Sequence, residues 1–152
     1  MSNYTGARLL SPKELAAWRG MLRTHASLTR ALDAELLAEH DLPLTSYEVL
    51  LFLADSPEGR MRMSELADSV LLSRSGLTRL VDRLSRAGML ERVRCDEDAR
   101  GWFAVITDRG RAVFDEARET HLSGVRRMFL SRLSDDERET LGRIFARLEA
   151  TG

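Results

Sequence analysis

The stretch from Ser64 to Thr107 constrains the fold more than any other part of this 152-residue chain. Its first half repeats apolar residues at steps of three and four, and its second half has two short runs rich in β-branched and aromatic residues. The first spacing is typical of amphipathic helices and the second composition is typical of strands. The stretch therefore predicts a short helix, a tight turn, a second helix and a β-hairpin, in that order.

The second helix of this stretch is predicted to begin after Ser73, an N-cap residue type, and to end at Gly88. The other faces carry four arginines against one acid, with hydroxyl side chains near the helix start. Guanidinium groups bind phosphate and guanine edges bidentately, and short hydroxyl residues allow close approach to a groove. This composition favours a nucleic-acid contact over an ordinary solvated face. The inward stripe is predicted to consist of Leu77, Leu80, Val81 and Leu84.

The segment before it is predicted to form a short helix capped by Ser64, with Leu66, Ala67 and Val70 facing inward. Two leucines connect this helix to Ser73, without the glycine that such a turn commonly contains. We therefore expect a turn that forms without a residue that enters the left-handed region freely.

A hairpin with a long tip is predicted after the second helix. Its strands are the runs MLERVR and WFAVIT, and the polar loop CDEDARG joins them. Arg94 and Arg100 flank three consecutive acids at the tip, and Gly101 lets the backbone come close to a partner. DNA would repel an acidic loop, so contact there must depend on arginine, which the negative potential of a narrow minor groove attracts. Two helices followed by such a hairpin make a winged helix-turn-helix.

The ordered motifs of this stretch resemble those of the MarR family of bacterial transcription regulators. The matching pieces are an LSRS-type helix start, T-R-L-V-D-R-L, G-x-[LV]-x-R, D-x-R-[RG] and T-x-x-G, found here at residues 72–75, 78–84, 88–92, 98–101 and 107–110. The resemblance extends over nearly the whole chain, because that family has helices on both sides of the winged motif. It implies a sequence-specific DNA-binding transcriptional regulator, expected to be a repressor.

Long amphipathic helices are predicted on both sides of the winged motif. Residues 11–14, S-P-x-E, form a capping box with proline at the first helical position, and the apolar pattern continues to about Glu39. Residues 45–48, T-x-x-E, are predicted to be a second capping box, which opens the next helix. Thr107 and the box at residues 134–137 are predicted to open the last two helices.

We expect a single domain over residues 1–152, mainly α with a small β-hairpin wing. Residues 45–107 would form the winged helix-turn-helix, and residues 11–39 and 108–150 would be dimerisation helices. A first helix of about 28 residues would be about 40 Å long, which exceeds what a small domain needs for its own core. The N- and C-terminal helices are therefore expected to make a two-fold homodimer interface, as the resemblance also implies. The alternative is a monomeric bundle with an appended wing.

Composition sets bounds on this interpretation. The formal net charge is −1, so bulk charge does not indicate nucleic-acid binding. Residues 73–100 hold seven arginines and five acids, a local surplus of two, so a DNA interface would depend on placement. The single cysteine permits no internal disulfide, no apolar run is long enough to span a membrane, and the N-terminus lacks a signal-peptide core. A cytoplasmic protein is expected.

A dimer would place its two copies of the second helix in successive major grooves of double-stranded DNA, about 10 base pairs apart, so the operator should be nearly palindromic. Base edges would be read near the helix start, phosphates would be met further along it, and the wing would reach the minor groove. The predicted contacts are Ser73, Arg74, Ser75, Thr78 and Arg79 to bases, Arg83 and Arg86 to phosphate, and Arg94, Arg100 and Gly101 in the wing.

The resemblance also implies a small-molecule effector, frequently a phenolic or other anionic aromatic, in a cleft between the dimerisation helices and the winged motif. Such a ligand would need aromatic stacking and a cation for its acid group. It would act by favouring one spacing of the two DNA-reading helices. The alternative is that the aromatics belong to the core and the arginines are solvated. The candidates are Trp18, Arg19, Met21, Arg23 and His25 on the first helix, and Tyr47 and Phe52 on the second.

Other functions have weaker support. Thiol oxidation controls some relatives through a cysteine in the first helix, whereas Cys95 is expected to be an incidental surface residue beside two acids. The three histidines are scattered, and H-E-x-x-H, C-x-x-C and glycine-rich phosphate loops do not occur, so no enzyme, cofactor or metal site is predicted. A metal- or redox-responsive regulator and a winged-helix protein-interaction module without DNA contact stay as alternatives.

Overall fold

The computed structural model describes residues 9–70, 72–96 and 101–150. Its long elements are, in chain order, α1 (Pro12–His40), α2 (Leu44–Asp55), β1 (Arg60–Arg62), α3 (Met63–Val70), α4 (Arg74–Arg86), β2 (Leu90–Arg94), β3 (Trp102–Ile106), α5 (Asp108–Met128) and α6 (Asp135–Glu149). Short 3-10 turns at Pro57–Gly59 and Leu130–Arg132 connect α2 to β1 and α5 to α6. The predicted fold class, mainly helical with a small antiparallel sheet, is confirmed.

Four of the predicted helix starts are confirmed. Ser11 and Ser134 form capping boxes, in which each serine hydroxyl accepts from the third helical N–H while the glutamate there accepts from the serine N–H. The Thr107 hydroxyl accepts from the Gly110 N–H at 3.0 Å. The Ser73 hydroxyl accepts from the Gly76 N–H at 3.1 Å. These local signals set the helix starts because each one satisfies an amide that the helix itself leaves unpaired.

The predicted starts of α2 and α3 are wrong. α2 begins at Leu44 after Pro43, so the predicted box of Thr45 and Glu48 lies inside the helix. The Leu44 N–H instead donates to Asp33 Oδ1 on α1, at 2.8 Å. α3 begins at Met63, so Ser64 lies in its first turn rather than at its N-cap. In α2 the acceptor comes from a neighbouring helix, which a local pattern does not show.

The sheet has three strands in the order β1-β3-β2, all antiparallel. The predicted hairpin is confirmed as β2 and β3, and the stretch before α3 adds the third strand, β1. β1 has only three residues, Arg-Met-Arg, which is too short for an alternating pattern to reveal a strand. Its Arg62 pairs with Phe103 and thereby fixes the start of α3 against the sheet.

The hydrophobic core lies between the C-terminal part of α1, α2, the winged helix-turn-helix and α5. α5 begins against the turn after α4, where a side chain at Gly110 would overlap the Met89 carbonyl oxygen. The Thr107 hydroxyl also donates to the Gly88 carbonyl at 2.6 Å. These contacts fix the turn after α4 against the start of α5, and so hold α4 and the sheet in place relative to α5.

The N-terminal half of α1 and most of α6 are exposed. Towards its C-terminal end α1 contacts α5, where Glu35 pairs with Arg127. The exposed large apolar residues include Trp18, Met21 and Leu22 on α1 and Phe145 on α6. In the part of the chain that the structure describes, no helix is both long and apolar enough to cross a membrane.

Candidate nucleic-acid interface

The helix α4 separates a buried apolar stripe from a charged exposed face. The predicted stripe is confirmed, because Leu77, Leu80, Val81 and Leu84 are all buried. The exposed face presents Arg74, Arg79, Arg83 and Arg86 to solvent. Gly88 follows α4 with a φ of +75°, which confirms the predicted helix stop in the left-handed region.

The hydroxyl groups at the start of α4 are partly engaged by the helix. Ser73 Oγ accepts from the Gly76 N–H and lies 3.3 Å from Ser75 Oγ. Thr78 Oγ1 donates to the Arg74 carbonyl at 2.8 Å. A hydroxyl carries one hydrogen and two lone pairs, so Thr78 in this conformation can only accept from a partner. It therefore suits a base amino group and not a phosphate oxygen.

The turn between α3 and α4 forms without glycine, as expected. The Leu72 N–H donates to the Ala67 carbonyl at 3.2 Å, which closes the end of α3. Leu72 packs against the core, together with Val70. The apolar pair thus anchors a turn in which glycine is not required, although Leu71 itself lies outside the described residues.

An open depression of about 580 Å³ runs along the exposed side of α4. Its lining is Gly76, Arg79, Asp82, Arg83 and Arg86, which combines three guanidinium groups with one carboxylate. The absence of a side chain at Gly76 leaves the first turn of α4 open to a partner. Such a surface favours an anionic partner that can reach into the first turn of the helix.

The wing, defined here as β2, Cys95 and β3, lies beside α4. Pairing continues one residue past β2, because the Cys95 N–H donates to the Gly101 carbonyl at 2.9 Å. Arg94 is exposed, and its guanidinium carbon lies 5.6 Å from the centre of the Trp102 ring. Arg100, the other predicted wing arginine, and two of the tip acids fall in 97–100, outside the described residues.

Three residues of this region were not among the predicted contacts. Arg92 Nη1 lies 3.1 Å from Asp82 Oδ1, so an ion pair connects β2 to α4. The Arg92 guanidinium also lies over the Trp102 ring, 5.2 Å from its centre. The one acid in an otherwise arginine-rich helix was the available signal for this contact, but its partner depends on how the wing folds back.

The predicted ligand residues differ in their exposure. Trp18, Arg19, Met21, Arg23 and His25 lie on the exposed half of α1. Tyr47 is only 2% exposed, and the centre of its ring lies 5.4 Å from that of Phe114 and 4.5 Å from that of His121. Phe52 is half-buried against the core. The prediction that Tyr47 lines an open cleft is therefore wrong for the single chain, because the residue is part of the core.

The titratable groups near α2 respond to burial. Burial raises the pKa of Glu48, and the nearby His25 opposes that change. Burial lowers the pKa of His121. Its Nδ1 is buried without a hydrogen-bond partner among the described residues. Both shifts are towards the neutral form of the side chain, because burial disfavours the charged form.

Cys95 was expected on the surface, and this prediction is wrong. The residue is only 6% exposed, and its N–H remains paired with the Gly101 carbonyl one residue past β2. Among the described residues, no group of three or more His, Cys, Asp or Glu side chains is arranged to hold a metal ion.

The α3–turn–α4 unit and its wing are a winged helix-turn-helix, the architecture of a class of DNA-binding transcriptional regulators. A model of the MarR family matches residues 40–101. The chain is 32% identical to AbsC, a MarR family transcriptional regulator from Streptomyces coelicolor, with a TM-score of 0.89 over 95% of this chain and 97% of that one.

Two further relatives agree with this assignment. Sco3205, a MarR family regulator from the same organism crystallised in complex with DNA, is 34% identical, with a TM-score of 0.89 over 94% of this chain and 90% of that one. The regulator YkoM of Bacillus subtilis is 31% identical over 68% of this chain, and this match spans 65% of YkoM, just under two thirds of its length. The chain belongs to the MarR family of helix-turn-helix transcriptional regulators. The relatives named above are transcriptional regulators and not enzymes.

Proposed function

We propose that this regulator is a repressor that binds a near-palindromic operator as a homodimer. The observation that carries the proposal is the face of α4 that exposes Arg74, Arg79, Arg83 and Arg86 opposite a fully buried leucine and valine stripe. A helix of this kind can insert its arginine face into a major groove while its apolar stripe stays packed in the core. The relative Sco3205 was crystallised with DNA, which supports the same use of the fold here.

The assignment of contacts follows from position along α4. Arg79, one turn after the helix start, is proposed to read a base edge, and Thr78 is proposed to accept from a base amino group. Ser73, Arg74 and Ser75, where the helix begins, are also proposed to read base edges, whereas Arg83 and Arg86 lie further along and are proposed to meet phosphates. Arg94 would approach the minor groove from the wing, and Arg100 and Gly101 keep the same proposed role from the sequence.

The dimer follows from the apolar surface that one chain leaves uncovered. Trp18 is 53% exposed and Leu22 is 47% exposed, and both lie on the half of α1 that extends away from the core. Phe145 on α6 is similarly exposed. Exposed apolar patches of this kind mark interaction sites, and a second copy would cover α1 and α6 together. In such a dimer the two copies of α4 would be able to enter successive major grooves of the DNA.

A small-molecule effector stays a proposal for this family member. The α1 candidates are exposed, so a ligand would contact Trp18, Arg19 or His25 and not the buried Tyr47. A cleft would then need the partner subunit to complete it. Thermal melting with aromatic acids tests this proposal: a ligand that binds the native state raises the melting temperature, and no change with any of them would contradict it.

Titration of a labelled duplex from the region upstream of the gene tests DNA reading. Affinity should fall steeply with salt, with a log–log slope of about −0.9 for each phosphate contact, and it should exceed affinity for a shuffled duplex. Arg79→Ala should lose about 1 to 3 kcal/mol and relax the sequence preference. Arg126→Ala on α5 serves as the charge-matched control, with no expected loss. Equal affinity for both duplexes would contradict the proposal.

A further inference from the structure

We propose that Asp82 is a positioning residue, which holds the wing against α4 through Arg92 and Trp102 and thereby aligns Arg94 with the DNA. The proposal rests on the DNA-reading function argued above. It assigns Asp82 to a contact within the protein and not to contact with the DNA. It also assigns Arg92, an arginine next to the DNA-facing surface, to the same internal contact.

The ion pair joins two elements that must act together. Asp82 lies on the exposed side of α4, and Arg92 lies on β2, ten residues further along the chain. Their side chains meet at 3.1 Å between Oδ1 and Nη1. Both are only partly exposed, at 40% for Asp82 and 33% for Arg92. An ion pair at such an intermediate exposure is screened less than one in open solvent.

Trp102 adds a second restraint on the same arginine. On the paired strands Arg94 lies directly opposite Trp102, and Arg92 lies opposite Ala104. Side chains two residues apart on a strand share one face, so Arg92 and Arg94 both face the Trp102 ring, at 5.2 and 5.6 Å. The indole is the aromatic ring that attracts cations most strongly. Arg92 is thus held between the Asp82 carboxylate and the Trp102 ring.

The charge of Asp82 makes direct DNA contact an unfavourable explanation. Asp82 lines the same depression as Arg79, Arg83 and Arg86, where its carboxylate would repel phosphate. Considered as charge alone, an acid at this place weakens DNA binding. The structure gives the carboxylate a different use, because its ion pair is made across the elements with Arg92.

The consequence for binding is a matter of preorganisation. α4 and the wing would contact adjacent grooves at the same time. If the wing is already held in the right position relative to α4, less conformational entropy is lost when the wing binds the minor groove. Arg94 follows Arg92 on the face of the sheet that carries Trp102, one position nearer the wing tip. Its orientation therefore depends on the strand β2 that the Asp82–Arg92 contact holds in place. Loosening the Asp82–Arg92 contact would let the wing move relative to α4 and reduce what Arg94 contributes.

The test compares two variants that each remove one negative charge near the DNA. Asp82→Asn breaks the ion pair, whereas Glu91→Gln changes an exposed acid on the neighbouring residue of β2, whose side chain points to the other face of the sheet. Affinity is measured on the duplex that the wild type selects from a random-sequence pool. We expect Asp82→Asn to bind about five- to tenfold more weakly than wild type, and Glu91→Gln to bind equally or more tightly. Asp82→Asn binding as tightly as wild type would overturn the proposal.

A double-mutant cycle separates positioning from simple loss of charge or fold. In wild type, Arg94→Ala should weaken binding and lower the salt slope, whereas in the Asp82→Asn background the same change should do markedly less. Additive effects would overturn the proposal. Arg92→Lys keeps the charge but not the planar guanidinium, so it should also weaken binding. The melting temperature of each variant checks that the fold is intact.

These outcomes are distinct from failure of the proposed function. If wild type selects no sequence from the pool, DNA reading itself is contradicted. If wild type selects an operator and Asp82→Asn binds it at full affinity, only the positioning role is contradicted.

Discussion

At the scale of single residues, the least expected feature is His121 in the packing between α2 and α5. Its ring lies 4.5 Å from that of Tyr47, and its Nδ1 is buried with no hydrogen-bond partner among the described residues. Burial lowers its pKa below the ordinary value of 6.5. Aromatic and apolar neighbours explain this direction, because they solvate an imidazolium poorly.

The residue-scale prediction concerns pH. Below pH 6.5 the unfolded chain protonates His121 while the folded chain does not, so the unfolded state binds more protons and stability falls as the pH is lowered. The melting temperature should therefore fall more between pH 7.5 and pH 5.5 for wild type than for His121→Leu. An equal drop in wild type and His121→Leu would contradict the assignment.

At the scale of elements, the sequence predicted what local chemistry decides and missed what tertiary contacts decide. The stripe of α4, its serine cap and its glycine stop all follow from spacing and residue type, and the hairpin follows from its two runs. The start of α2 depends on Asp33 from another helix, and β1 is a strand only because Phe103 and its neighbours pair with it. The Asp82–Arg92 contact was missed for the same reason.

The element-scale prediction concerns the junction of α4, the sheet and α5. Gly110 is a helical glycine, so alanine there would favour the helix by about 1 kcal/mol on propensity alone. The added methyl group would overlap the Met89 carbonyl, and we expect Gly110→Ala to destabilise the fold by about 2 kcal/mol or more. Gly142→Ala on α6, with no atom within 4 Å of the new methyl group, should not destabilise. Thermal melting that shows equal stability for the two variants would contradict this packing.

At the scale of the whole molecule, the proposed homodimer would cover the exposed half of α1. Leu22→Glu would place a charge in that interface, and we expect it to weaken dimerisation by about 3 kcal/mol or more. Ala16→Glu adds the same charge on the opposite side of α1 and should leave the dimer intact. Light scattering measures the molar mass of each variant. A monomeric wild type, or a Leu22→Glu variant that stays dimeric at the same concentrations, would contradict the interface.

Selection of duplexes from a random-sequence pool by the wild-type protein tests the central claim most directly. The claim is that two copies of α4, related by a two-fold axis, read DNA together. The selected sequences should contain an inverted repeat whose half-sites are about 10 base pairs apart, centre to centre. Arg79→Ala should lose preference at defined positions within each half-site. A selected sequence without two-fold symmetry, or no enrichment above the starting pool, would contradict the account.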